Sequence, residues 1–306
     1  MSSHNIPDER TTYKQGLISA IGCSVFWGIM PIYWQMLRPI ESSVIIFYRI
    51  VLVAVVCLVA ALIKYKPAEI FAPLKDLKAV ITYALVGALI TANWSIYIWA
   101  VNADYVIQTC IGYYIEPLVV CVFGMVFFKE KLTKYKGIAL GLACIGVAAV
   151  IIYFKEVPLI AIGIAMTFSI YAAMKKNLNK PPIISLLYET IFLAPFALAV
   201  VIYMETTGTG ALAVADGGKY ALLMLCGLFT AFPLGLFANA ANKVNLFVLG
   251  LTEYISPTIS LIISIFYFKE PFEQIQLIAF AIIWVGLVFF SYGEFKEYKK
   301  SLEKDN

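Results

Sequence analysis

Four ionisable side chains stand deep inside apolar runs of this 306-residue chain: Arg49, Glu116, Glu189 and Glu253. A charge at the centre of a membrane-spanning helix costs about 2.5–3.5 kcal/mol on insertion scales, so each of these residues needs a partner or a task. With a helical rise of about 1.5 Å per residue, Arg49 lies about 9 Å and Glu116 about 16 Å below the outer ends of their runs, and Glu253 and Glu189 about 12 and 10 Å from the inner ends. Those depths let Arg49 reach Glu116 if their helices face each other. They also set Glu253 and Glu189 as a like-charge pair that, once desolvated, could carry a proton. Glu116 and Glu253 each precede a proline, Pro117 and Pro257, within four residues. There a helix loses a backbone bond and frees carbonyls, and discontinuous helices near the midplane are where transporters build sites. Two of the four carry a second reading: Arg49 could snorkel to the outer surface or bridge helices, and Glu189 could be a helix-bridging acceptor.

Aromatic residues form a second candidate set: Trp27, Tyr33, Trp34, Trp94, Tyr97, Trp99, Tyr113, Tyr114 and Tyr254. Tyr33 and Trp34 sit near an outer boundary and are expected in an interfacial belt. Trp94 and Asn93 are deep, and the Asn93 amide needs a partner, so this pair is expected at a cavity. An aromatic-lined cavity suits organic cations, amino acids or planar drugs.

The elements that must hold these residues follow from composition. The chain is 62% hydrophobic and 14% charged, with mean hydropathy +0.87, far beyond a soluble domain of this length. Apolar runs of about 20 residues, the length that crosses a bilayer, fall at 15–37, 43–63, 79–101, 105–128, 135–153, 158–174, 182–204, 219–241, 245–268 and 273–292. None alternates as a barrel strand would, so the expected fold is an all-α integral membrane protein of ten transmembrane helices in the lipid bilayer. Arg38, Lys155, Lys219 and Lys269 fall on one side and Arg49 within a run, while the other eighteen of the 23 basic residues share the opposite side. By the positive-inside bias both termini, 1–14 and 293–306, are expected in the cytoplasm, and the protein in the cell's inner membrane.

Composition and motifs also narrow the chemistry. The formal charge of +4 reflects the membrane bias rather than a nucleic-acid partner. All six cysteines sit in apolar runs without CxxC spacing, and the one histidine is His4 in the polar head, so no disulfide, metal site, cofactor or histidine catalysis is implied. No phosphate-binding G-x-x-x-x-G-K-[ST] loop is present, so gradients rather than nucleotide hydrolysis must drive any transport. A polytopic enzyme acting on lipid or isoprenoid phosphates is the alternative; the short loops lack the nucleophiles, Asp pairs and Arg clusters it needs. No regular GxxxG face points to an oligomeric state.

The chain contains itself twice. Tyr114, Ile115, Pro117, Phe128, Lys129, Glu130, Ile138, Ala139 and Gly146 recur 140 residues later as Tyr254, Ile255, Pro257, Phe268, Lys269, Glu270, Ile278, Ala279 and Gly286. Tyr48-Arg49 likewise corresponds to Tyr188-Glu189. Residues 15–153 and 158–292 thus form two five-span units, and an odd span count inverts the second against the first, the arrangement of alternating-access transporters. The two Lys-Glu pairs are expected to anchor loops by capping helix ends.

The strings FWGIMPIYWQML (26–37), NWSIYIWAVN (93–102), IGYYIEPLVV (111–120), FFKEKLT (127–133), YETIFLAP (188–195), TAFPLGLFANAANKVN (230–245) and LTEYISPTISL (251–261) resemble the RarD-type members of the EamA, or drug/metabolite transporter, superfamily. The resemblance covers essentially the whole chain. It implies ten helices, cytoplasmic ends, two EamA repeats and export or exchange of small organic solutes, without naming one.

Overall fold

The computed structural model describes residues 9–102, 105–155, 159–269 and 273–303; His4 and Glu270 lie outside the described residues. In chain order the helices are α1 (Glu9–Met36), α2 (Ser42–Lys64), α3 (Pro67–Phe71), α4 (Leu77–Asn102), α5 (Val106–Phe127), α6 (Lys134–Phe154), α7 (Leu159–Leu178), α8 (Pro182–Ile191), α9 (Ala194–Thr206), α10 (Gly217–Met224), α11 (Cys226–Lys243), α12 (Leu246–Glu253), α13 (Ile255–Ile263) and α14 (Gln274–Glu303). Among the described residues nine stretches are long and apolar enough to cross a membrane, and Ile111–Phe127 and Pro182–Ile191 are shorter apolar helices. With no strand among the described residues, the chain is an all-α membrane protein. Its perimeter is apolar, with Ile63, Leu159, Phe196 and Phe266 exposed, as a surface that faces lipid tails requires.

Tyr13, near the start of α1, donates to Glu294, near the end of α14, so those ends share one face, called here the terminal face. Lys136 pairs with Glu294 at 3.0 Å and Lys243 Nζ donates to Gln15 Oε1 at 2.8 Å on that face.

Packing repeats as the sequence does. With α1 matched to α7, α2 to α8 and α9, α4 to α10 and α11, α5 to α12 and α13, and α6 to α14, the main contacts between the units have counterparts: α1 on α11 and α4 on α7, α5 on α7 and α1 on α12 and α13, α2 on α11 and α4 on α8. The recurring Ala and Gly of the duplicated segment explain one crossing. A Cβ on Gly146 would lie 2.9 Å from the Ala279 carbonyl, and one on Gly286 3.1 Å from the Ala139 carbonyl. The α6–α14 contact is therefore two-fold related, and the glycines let the two backbones meet.

The two units are not equally regular. In the first, α1, α2, α4, α5 and α6 run unbroken, whereas the runs at 182–204, 219–241 and 245–268 are interrupted near Phe192, Leu225 and Tyr254. Pro257 accounts for the last break: its ring opposes the carbonyl four residues back, that of Glu253, where α12 ends. Pro117 was expected to do the same, and it does not, because α5 continues through it. Neighbouring side chains serve the carbonyls around it: Tyr254 Oη donates to Tyr114 O at 2.9 Å and Ser169 Oγ to Glu116 O at 3.4 Å. Such support is what lets a spanning helix tolerate proline.

Candidate functional site

Glu253 is the last residue of α12, at the interruption, and Glu116 stands on α5, which packs against α12 and whose Tyr114 carbonyl accepts from the adjacent Tyr254. Both are buried, at 4% and 7% exposure. Neither Glu253 oxygen nor Glu116 Oε2 has a hydrogen-bond partner. The approach depends on Gly250, where a Cβ would lie 2.9 Å from the Pro117 carbonyl and 3.0 Å from Cys121 Sγ. Pro257 deprives the Glu253 carbonyl of its helical donor, which adds negative potential beside the acids, and no base neutralises them among the described residues. This arrangement attracts a proton or another small cation.

The like-charge pair is thus Glu253 with Glu116, not Glu253 with Glu189. Glu189, on α8, forms an ion pair with Lys175 of α7, both side chains almost wholly buried. Lys175 Nζ also donates to Ser185 Oγ at 2.9 Å, Ser185 Oγ donates to Glu189 Oε1 at 2.6 Å, and Tyr171 Oη lies 3.5 Å from Glu189 Oε2. Depth alone placed Glu189 beside Glu253; helix rotation turns it toward α7. Sequence reasoning missed Lys175 because the apolar run ends at residue 174, and the lysine read as a loop charge. The helix continues to Leu178. The available signal was the burial of Glu189 itself, which demands a base on an adjacent element.

Arg49 is not paired with Glu116 either. Its guanidinium lies 3.7 Å from the Trp94 ring centroid and 5.5 Å from that of Trp34. Nε is buried without a partner, and Arg49 makes no ion pair among the described residues. Trp34 is therefore part of this cluster rather than only of an interfacial belt. Tyr113 stacks edge-on with Tyr97 at 5.6 Å.

Asn93 is turned elsewhere: Nδ2 donates to Ile164 O at 2.8 Å and to Thr167 Oγ1 at 3.1 Å, tying α4 to α7. Tyr254 is fully buried and bridges the two units through its bond to Tyr114. At the terminal face the first Phe-Lys-Glu exit caps a helix. Lys129 turns left-handed at φ 53° to end α5, and Glu130 accepts from Leu246 N and Phe247 N, each at 2.7 Å. The carboxylate thereby satisfies the free N–H groups that open α12. Lys176 Nζ donates to Val244 O at 2.6 Å in the same turn. Lys269 repeats the left-handed turn at φ 55°.

Paired repeats, broken helices and unpartnered charges in the bundle together define a multi-pass membrane transporter. The chain belongs to the EamA-like transporter family, which matches residues 14–152 and again 157–292. Among its relatives, the uncharacterized transporter YojE of Bacillus subtilis strain 168 is 34% identical over 288 residues, 92% of this chain and 95% of its own. A protein RarD of Streptomyces exfoliatus is 31% identical over 288 residues, 94% of this chain and 91% of its own. One solved crystal structure shares the fold at 13% identity, with a TM-score of 0.68 over 90% of this chain and 96% of its own.

Proposed function

We propose that this protein is a secondary transporter that exports or exchanges small organic solutes by alternating access, with proton movement coupled through Glu116 and Glu253. The observation that carries the reading is that pair of buried acids on packed helices at the interruption between α12 and α13, with both Glu253 oxygens and Glu116 Oε2 unpartnered. Two buried carboxyls without a base need a cation in every state that keeps them buried, and a proton supplies it at the least steric cost. The terminal face is cytoplasmic by the positive-inside bias, and the membrane is the cell's inner one.

The burial pattern supports a conformation closed toward the cytoplasm. Every residue of α12 is buried and none of α13 is. Glu130 and Lys176 hold the turn that begins α12 on the cytoplasmic side. The two similar units give the inverse conformation a comparable energy, as alternating access requires.

The test is solute flux in proteoliposomes with and without an imposed pH gradient. A gradient is expected to drive solute, and Glu116→Gln with Glu253→Gln to abolish that drive while downhill flux persists. Wild-type flux indifferent to pH, or coupling intact in the double variant, refutes the proton role.

A further inference from the structure

Arg49 is a cation inside the bundle, half-buried with its Nε enclosed, and opposite in sign to the acid pair. α2 begins at Ser42 on the face opposite the termini, so Arg49 lies about 10 Å below that end of the helix, and Glu116, ten residues into α5, about 15 Å below. Arg49 therefore stands above the acids on the way in from that face. Two structural roles would leave visible contacts, and among the described residues neither does. A snorkelling arginine would reach the carboxylates of its own face, but Glu205 is engaged by Tyr48 Oη at 2.6 Å and by Ala211 N at 2.7 Å, and neither Glu205 nor Glu41 touches the guanidinium. A helix-bridging arginine would donate to backbone carbonyls as Lys176 does to Val244. Arg49 instead lies on Trp94 with its Nε donor unused.

A guanidinium presents its N–H donors as a planar fork, the geometry that takes a carboxylate through two parallel hydrogen bonds. The Trp94 ring, 3.7 Å from the guanidinium carbon, attracts the cation without taking up a hydrogen-bond donor. Trp34 adds flat apolar surface beside it. We infer that Arg49 is the anion-binding element of the solute site, and that the transported solute is an organic carboxylate with a planar or apolar body. This deepens the transport reading and rests on it only in supposing that the solute passes this site.

Binding separates the two ideas, because it needs neither flux nor a pH gradient. Thermal stabilisation of the purified full chain is measured at fixed pH with two matched probe pairs, benzoate against benzamide and L-phenylalanine against L-phenylalaninamide. At least one acid is expected to stabilise saturably with an apparent Kd about tenfold or more below that of its amide. Arg49→Gln is expected to erase the difference and Arg49→Lys to keep part of it, since lysine retains charge without the planar fork. A preference only in the phenylalanine pair adds an ammonium group to the ligand, and one only in the benzoate pair a simple acid; both uphold the inference. Acids and amides binding alike, the preference surviving in Arg49→Gln, or chloride alone giving the same saturable shift overturns it. If Arg49→Gln does not fold, the wild-type pairs and Arg49→Lys decide. Loss of pH-driven flux with the preference intact would instead count against the proton role of Glu116 and Glu253.

Discussion

Arg49 and Glu189 occupy the same position in the two repeats, each following a buried tyrosine, Tyr48 or Tyr188, and each inside the membrane. Their surroundings are opposite. Glu189 is enclosed by Lys175, Ser185 and Tyr171, and its charge is balanced within the protein. Arg49 has aromatic rings on α1 and α4 and, among the described residues, no ion pair with an acid. A duplicated scaffold has kept a charge at both points, closing one with a counter-ion and leaving the other to be met from outside. The difference separates a wholly buried charge that fastens helices from a half-buried one that waits for a ligand.

The largest effect should come from breaking the closed member. Lys175→Met leaves Glu189 buried without its base, at an expected cost of about 3–5 kcal/mol. Thermal unfolding in detergent would show the loss, and Lys175→Met with Glu189→Met should recover most of it. Equal destabilisation by the single and double variants would mean that the pair does not carry the effect.

Next in size is the contact that brings α4 against α8. A Cβ on Gly87 would lie 2.1 Å from the Glu189 carbonyl oxygen, backbone that cannot move aside cheaply. Gly87→Ala should cost about 1–3 kcal/mol by overpacking, again read as a lowered unfolding midpoint. Gly227, the counterpart of Gly87, would meet Leu52 backbone at 2.6 Å, so Gly227→Ala should behave likewise beside the Arg49 region. Loss at one glycine but not at the other would show that the two-fold packing is less even than the contacts imply.

These contacts also mark how far the sequence could be read. Run lengths gave the helices because a bilayer demands about 20 apolar residues. The recurring Ala139, Gly146, Ala279 and Gly286 gave the duplication because close backbone approach tolerates few residue types. Glu116, Glu253 and Arg49 stood out because intramembrane charge is costly. What could not be read was pairing, which depends on helix rotation and on where a helix ends: one further turn of α7 brings Lys175 inside, and the direction of Glu189 then follows. Pro257 marked its break and Pro117 did not, because Tyr254 and Ser169, distant in sequence, serve the carbonyls beside Pro117.

A smaller effect is expected at the cap between the units. Glu130→Ala removes the acceptor for two N–H groups at the start of α12, at about 0.5–2 kcal/mol. Cys121 reports on that end of the bundle: it is fully buried on α5 and its thiol lies 3.4 Å from the Phe247 carbonyl. In a variant keeping Cys121 as its single cysteine, Glu130→Ala should raise the alkylation rate of that thiol from the terminal face as α12 loosens. An unchanged rate would make Glu130 a local cap without influence on closure.

The smallest change in stability should follow from removing the open member, and that result bears most directly on the comparison. Arg49→Met deletes a half-buried cation that has no counter-ion among the described residues. The desolvation it relieves and the cation–π contact with Trp94 that it loses, worth up to about 2 kcal/mol in an apolar setting, act in opposite directions. The unfolding midpoint should therefore stay within a degree or two of wild type, roughly 1 kcal/mol for a chain of this size, while Lys175→Met falls well below it. If Arg49→Met destabilised as strongly as Lys175→Met, Arg49 would be a fastener like its counterpart, and the asymmetry between the repeats would lie elsewhere. Near-neutral stability combined with lost solute binding would show that the two equivalent charges do different work, because only one of them is answered inside the fold.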